Sequence, residues 1–320
     1  SVRDFLRARR RSLSVADRRL LVSLVEGYDA APIASASAHA LSTSGEPMPG
    51  PDARAQFRLL GGYGGLIDAL ASEIGTAHCR VVLSAVIQTI AWERGRVRLR
   101  TAREEFQARR AVITVPVGVL GAPTGARGAI AFDPDPPALR AALSGLAMGH
   151  AVRLVLRFRD AFWRERPAQA SSGERPLPPD AAFLHLPSSA CFSTWWTTAP
   201  FEAPVLTAWA GGPAAERLRR LRPEAMLSTA LGDLSRALAV PRGRVSRRLL
   251  DWQSHDWSSD PFSRGAYSFA RVGGAASAEA LSAPIAGTLY FAGEACGREE
   301  TGTVAAAIES GRRAAARAAR

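Results

Sequence analysis

The residues best placed to do chemistry lie near the C-terminus. Leu289-Tyr290-Phe291-Ala292-Gly293-Glu294 reads as a strand running into a glycine turn that carries a carboxylate, and Thr301-Gly302-Thr303-Val304 then opens an alanine-rich helix. The first N–H groups of such a helix lack intrahelical partners and sit at the positive end of its dipole. Gly302, Thr303 and Val304 therefore offer a place for an anionic ligand atom. Glu294 can accept hydrogen bonds from sugar or sugar-alcohol hydroxyls; alone, the same pattern also reads as a helix cap beside a surface acid. A second glycine-rich segment, Gly61 to Gly65 (GGYGG), follows strand-like FRLL and precedes helical LIDALASEI, the context of a phosphate-binding turn. Ile67 stands where a third glycine belongs, and no acid stands at a strand end about 20 residues on. GGYGG thus reads as a structural turn, and no complete GxGxxG occurs in the chain.

Other chemistries are excluded by what is missing. All 41 basic residues are arginine, and neither lysine nor asparagine occurs. Both absent residues need A-rich codons, so a GC-rich genome accounts for them. Without lysine there is no Schiff base, no pyridoxal-phosphate enzyme and no Walker phosphate loop. The net charge of +12 raises the question of nucleic acid. The arginines, however, are scattered near acids with no aromatic interleaving, so no nucleic-acid partner is expected. Cys79, Cys191 and Cys296 are far apart, and His39, His78, His150, His185 and His255 include no pair at metal-ligand spacing. No metal is expected, and a reducing, cytoplasmic setting is. No GxSxG elbow occurs. No apolar run reaches the ~20 residues of a membrane span.

These residues need elements to position them. Residues 1–31 read as helix, with Ser14-x-x-Asp17 as a capping signature and Leu20, Leu21, Leu24, Val25 and Tyr28 as its apolar face. Residues 32–56 are rich in Ala, Ser, Pro and Gly and read as loop with room for a short helix. Arg80 to Leu83, Ile87 to Trp92, Val97 to Arg100 and Phe106 to Val115 read as a strand meander. The apolar run AVITV in the last of these predicts burial on both faces. Pro137 to Leu146 reads as helix, Ala151 to Phe158 as an alternating strand and residues 164–180 as a polar loop. Strands around 182–210, helices around 213–238, strands near 247–252, a strand at Thr288 to Ala292 and a helix from Gly302 complete the series.

Six blocks in this order carry a resemblance: LVEGY with Phe57-Arg58 and GGY, VVLSAVIQTI, AVITVPVGVL, VRLVLRFRDAFW, DWSSDPFSRGAYS, and YFAGEACGREETGTVAAAIESGRRAA. Across essentially its whole length the chain resembles the flavin-containing amine oxidases: monoamine oxidases, polyamine oxidases and bacterial relatives. The resemblance implies an α/β fold, with a partial FAD-binding, Rossmann-like three-layer domain interleaved with an α+β substrate domain on a mixed sheet. In that division residues 1–55 are a helical part of the substrate domain and 56–122 the middle of the FAD-binding domain. Residues 123–256 are substrate domain, and 257–320 are the C-terminal part of the FAD-binding domain.

The resemblance also implies roles. Val86 would lie against the adenine of FAD, Gly293 and Glu294 would hold its backbone hydroxyls, and Gly302, Thr303 and Val304 would bring the helix start to the flavin edge that gains negative charge on reduction. Trp257 would pack beside the isoalloxazine, or else be a core tryptophan. Tyr267 matches one wall of an aromatic cage. Ala266 stands where some members attach flavin through cysteine, so FAD would be non-covalent. The implied reaction oxidises a small amine or amino acid by hydride transfer to flavin, giving an imine and hydrogen peroxide. Substrate-pocket residues are expected near Trp195, Trp196, Trp209 and Tyr267, aromatics that suit a core equally well.

Three departures stand out. The chain lacks the GxGxxG segment that would precede it, so a second chain or an upstream segment is expected to supply it. Without that segment the face of VITVPVGVL is expected to be exposed. The family's catalytic lysine maps to Arg153, which cannot deprotonate. The second cage aromatic maps to Thr303. The alternative to an enzyme is a truncated, non-catalytic relative that binds or assembles.

Overall fold

The computed structural model describes residues 1–43, 59, 61–74, 79–164, 177–178, 180–186, 189–297 and 301–320. Two capping boxes start the chain. Ser1 Oγ accepts from Asp4 N–H ahead of α1 (Val2–Ala8), and Ser14 Oγ accepts from Asp17 N–H (3.0 Å) ahead of α2 (Val15–Ser23). The Asp17 carboxylate returns a bond to Ser14 N–H, so the S-x-x-D signature forms as expected; such a cap is worth about 1 kcal/mol. The helix then widens into a π turn, Leu24–Tyr28, closed by Asp29 N–H donating to Leu24 O (3.2 Å). The extra residue in that turn breaks the expected apolar face. Val25 is buried, whereas Leu20, Leu24 and Tyr28 are exposed. Helix α3 (Ala38–Thr43) is the short helix that the loop segment leaves room for, and α4 (Gly62–Glu73) takes in the GGYGG glycines as its own first turn rather than following them. Phe57, Arg58 and most of FRLL lie outside the described residues.

The meander forms over β1 (Thr89–Glu93), β2 (Arg96–Arg100) and β3 (Glu105–Ala108), antiparallel with Val97 opposite both Trp92 and Ala108. Arg80 to Leu83 forms no strand, and Val81 and Leu83 are exposed. The run expected as one strand to Val115 breaks at Arg109-Arg110, after which β4 (Ala111–Ile113) leaves the meander. Helix α5 (Val117–Leu120) follows, and β5 (Ala131–Asp133) returns to pair parallel with β1, making a four-stranded sheet β3-β2-β1-β5.

Helix α6 (Pro137–Ser144) and β6 (Leu146–Met148) lead into β7 (Ala151–Phe158), found where the alternation places it. With β8 (Phe183–His185), β9 (Thr194–Trp196), β10 (Val205–Gly211) and β11 (Leu249–Ser254) it builds a five-stranded sheet, β11-β7-β10-β9-β8, antiparallel throughout. Helices α7 (Gly212–Leu218), α8 (Pro223–Leu238) and α9 (Arg242–Arg248) lie between its last two strands. Leu154, Leu156 and Phe158 are fully buried against Leu231, Leu234 and Leu238 of α8. Each such side chain contributes roughly 1.5–3 kcal/mol, which fixes the register and turns Arg153, Val155 and Arg157 to the other face.

Strand β12 (Ser268–Ala270) pairs with β6. After α10 (Ser277–Ser282), β13 (Leu289–Phe291) runs parallel to β4, and α11 (Val304–Ala318) closes the fold. Leu289, Phe291 and Ile113 share a second core with Ile90, Val97, Phe132 and Leu139. AVITV is not buried on both faces: Val112 is 41% exposed, and β4 has only β13 as a strand partner among the described residues. Among those residues no helix is long and apolar enough to cross a membrane.

Candidate active site

Four separate elements converge on one cavity of about 560 Å³. Arg153 of β7, Trp209 of β10, Trp257 and Tyr267 of the segment before β12, and Gly293-Glu294 after β13 all line it. Each is held by a local reason. The last two stand where β13 ends. Tyr267 is fixed by the β12–β6 pairing, continued by Gly149 N–H donating to Tyr267 O (2.7 Å) and Ala266 N–H to Gly149 O (2.9 Å). Arg153 and Trp209 are opposed across β7 and β10, so they share a face.

Glu294 is buried. Its Oε1 accepts from Ser268 N–H (3.0 Å), and its Oε2 accepts from Ser268 Oγ–H (2.8 Å) and Gly302 N–H (3.0 Å). Burial still pushes its pKa up, against those three donors. A carboxylate has about four acceptor positions, so one remains, on Oε1, for a ligand hydroxyl. Tyr267 donates its hydroxyl to Tyr28 O, and burial, then the nearby Asp29 charge, raises its pKa. Asp29 is itself pushed up to about 6 by burial.

Gly302 has φ +75°, and a Cβ there would come 3.3 Å from Tyr267 Cδ2; only glycine takes this backbone so close to the ring without strain. Thr303 is the N-cap of α11, its Oγ1 accepting from Ala306 N–H (3.0 Å). The N–H groups of Val304 and Ala305 have no acceptor among the described residues. The helix start thus carries two free donors, but Gly302, Thr303 and Val304 do not line the cavity, which α11 reaches through Ala307.

Not every expected residue joins this cavity. Val86 lines a separate one of about 460 Å³ with Gly128 and Phe262. Trp195 is a core residue, 1% exposed, with its indole N–H on Phe192 O (3.0 Å); alternation along β9 sends it inward and Trp196 outward. Trp257 is 48% exposed, which rules out a core tryptophan, and packs edge-on to His255 with centroids 4.3 Å apart. His150, one of five histidines without ligand spacing, turns out to border the site: its Nδ1 meets Ser258 Oγ at 2.8 Å. Those residues lie 108 positions apart, and no sequence pattern links them. Among the described residues no group of three or more His, Cys, Asp or Glu could hold a metal ion.

Residues 2–319 match the family described as flavin containing amine oxidoreductase. The chain belongs to that family. Lysine-specific histone demethylase 1 homolog 2 of Arabidopsis thaliana is 30% identical over 262 residues, which are 81% of this chain and 32% of that protein. Polyamine oxidase 3 of Oryza sativa subsp. japonica is 31% identical over 262 residues, 79% of this chain and 47% of that protein. The chain spans less than half the length of these curated relatives. Among solved structures, a double mutant of a putrescine oxidase superposes with TM-score 0.78 at 20% identity, covering 100% of this chain and 68% of that one. Cyclohexylamine oxidase from Brevibacterium oxydans IH-35A gives 0.75 at 19%, covering 100% and 67%. At these identities the likeness shows the fold. The flavin of this family fits the cavity chemically: its lining is mainly apolar with the aromatic rings of Trp209, Trp257, Tyr267 and Phe291, as a planar ligand requires, and Glu294 keeps an acceptor for a hydroxyl.

Proposed function

We propose that the chain is the substrate-handling part, and a portion of the cofactor-handling part, of an FAD-dependent oxidase acting on a small amine or amino acid. The observation that carries this reading is the convergence of Arg153, Trp209, Trp257, Tyr267 and Glu294, from four separate segments, on one cavity. The FAD would be non-covalent, because Ala266 offers no nucleophile at the ring-facing position. The 320 residues contain no GxGxxG. In this reading the pyrophosphate is held by residues outside them, upstream in a longer polypeptide or in a second chain. A cytoplasmic setting suits the three free cysteines.

When bound, FAD supplies the two-electron acceptor for the carbon next to the amine nitrogen. The residues of this chain do the rest. Trp209 and Tyr267 give the cavity apolar walls that exclude water from the reacting amine. The Val304 and Ala305 N–H groups, at the positive end of α11, would favour negative charge on a cofactor edge placed against them. Glu294 holds Ser268 and Gly302 in place and keeps one acceptor for a cofactor hydroxyl. Arg153 stays charged at every working pH.

The test is a flavin spectrum. The chain, mixed with the dinucleotide-binding segment and FAD and then desalted, is expected to stay yellow, to release its flavin on acid precipitation, and to bleach when an oxidisable amine is added without oxygen. A colourless protein under those conditions refutes the reading.

A further inference from the structure

Arg153 is the one cation among the described residues that line the cavity. Trp209, across the strand pair, is fixed at both ends: its indole N–H donates to Gly27 O (2.9 Å), and its ring lies 7° from parallel to Tyr267 with centroids 6.4 Å apart. The Tyr267 hydroxyl has Tyr28 O, and the Glu294 oxygens have Ser268 and Gly302. Arg153 is exposed to the cavity and makes no hydrogen bond or ion pair with any described residue. A guanidinium cannot lose its charge and presents a planar fork of donors that matches a carboxylate. The cavity thus holds one uncompensated cation next to a pair of aromatic faces. A second cation brought there by a diamine meets like charge, whereas an anion meets an open partner.

We propose that Arg153 is a carboxylate-binding residue, and that the substrate is an amino acid whose apolar side chain lies along Trp209 and Tyr267 rather than a di- or polyamine. This rests on the flavoenzyme reading for the claim that the cavity receives substrate. It does not rest on it for the claim that the cavity takes an anion.

The experiment compares two probes of one shape, 3-phenylpropionate and 2-phenylethylamine, on the 320-residue chain by tryptophan fluorescence and calorimetry. Wild type is expected to bind the carboxylate about tenfold or more tightly than the amine, as a charge-assisted bidentate pair requires. R153Q is expected to lose that preference, the carboxylate binding more weakly and the amine more tightly once the like charge is gone, and R153K to keep part of it as a point charge without the fork. Position 153 is exposed, so these variants should match wild type in circular dichroism and in thermal unfolding. Absence of saturable carboxylate binding to wild type, equal affinity for the two probes, or equal carboxylate affinity in wild type and R153Q overturns the inference. FAD titration of the same preparations, with the dinucleotide-binding segment present, separates the two claims. Flavin bound without carboxylate preference overturns this inference alone. Carboxylate preference without flavin binding supports it and overturns the flavoenzyme reading alone.

Discussion

His150 holds Ser258 through its Nδ1, at 2.8 Å, and faces Glu216 of α7 through its Nε2, at 3.7 Å. One turn further along, Arg219 reaches Asp256 (3.7 Å) and donates to Ser259 Oγ (3.2 Å). The loop carrying Trp257 is therefore pinned to α7 on both sides of the tryptophan. A cavity wall is set by a helix that does not line the cavity.

That arrangement has a pH signature. Burial lowers the His150 pKa below 6.5, Glu216 and Asp256 oppose the shift, and Arg219 adds to it. The unfolded chain then takes up a proton before the folded one does, so stability rises with pH through the window just below 6.5. H150Q is expected to flatten that slope between pH 5 and 7, measured by scanning calorimetry. An unchanged slope would show that other groups set it.

Asp29 predicts the opposite slope. Its pKa is raised from 3.8 to about 6 by burial, and its carboxylate has no hydrogen-bond partner among the described residues. The folded state favours the protonated form, so stability is lost as pH rises from about 4 through 6. D29N is expected to stabilise the protein at pH 7.5 by about 1–2 kcal/mol, once solvent screening is allowed for. It should do little at pH 4. Urea midpoints at the two pH values decide it.

Trp209→Phe keeps an aromatic wall but removes the donor to Gly27 O. An unpaired carbonyl of this kind costs about 1–2 kcal/mol. Denaturant unfolding should show that loss. Affinity for 3-phenylpropionate should fall only modestly in W209F and much further in W209A, which removes the face parallel to Tyr267.

Gly302→Ala tests the helix start. The added methyl meets Tyr267 Cδ2 at 3.3 Å on a backbone with φ +75°. Strain of about 1–2 kcal/mol follows, along with displacement of Tyr267 or of the free donors of α11. The expected outcome is a lower melting temperature together with weaker flavin retention on desalting. A change in neither would separate Gly302 from the site.

Local periodicity made much of this fold legible. The capping pair Ser14 and Asp17, the alternation of β7 that faces Arg153 away from Leu154, and the strand–turn–helix around Glu294 each depend on residues within a few positions of one another. What the sequence hid depends on contacts at a distance. The π turn before Asp29 exists because the chain there packs against Gly211-Gly212, where an added Cβ at 211 would come 2.4 Å from Gly27 O. Trp195 and Trp196 are identical in type, so only the register with Ala208 and Thr207 shows which one faces the core. Helix α9 has the arginine-rich sequence RGRVSRR, whose single buried residue, Val245, gives no periodic stripe. The break at Arg109-Arg110 follows from β4 pairing with a strand nearly 180 residues later.

The Trp209 indole takes its bearing from a carbonyl 182 positions earlier, in the π turn of the N-terminal helices. Selectivity can thus be retuned by remote editing. A one-residue deletion between Leu24 and Tyr28 would restore a plain helix, withdraw that carbonyl and let the indole swing, altering what the cavity admits with no change to any lining residue. Directed evolution that randomises only the walls would miss this dial.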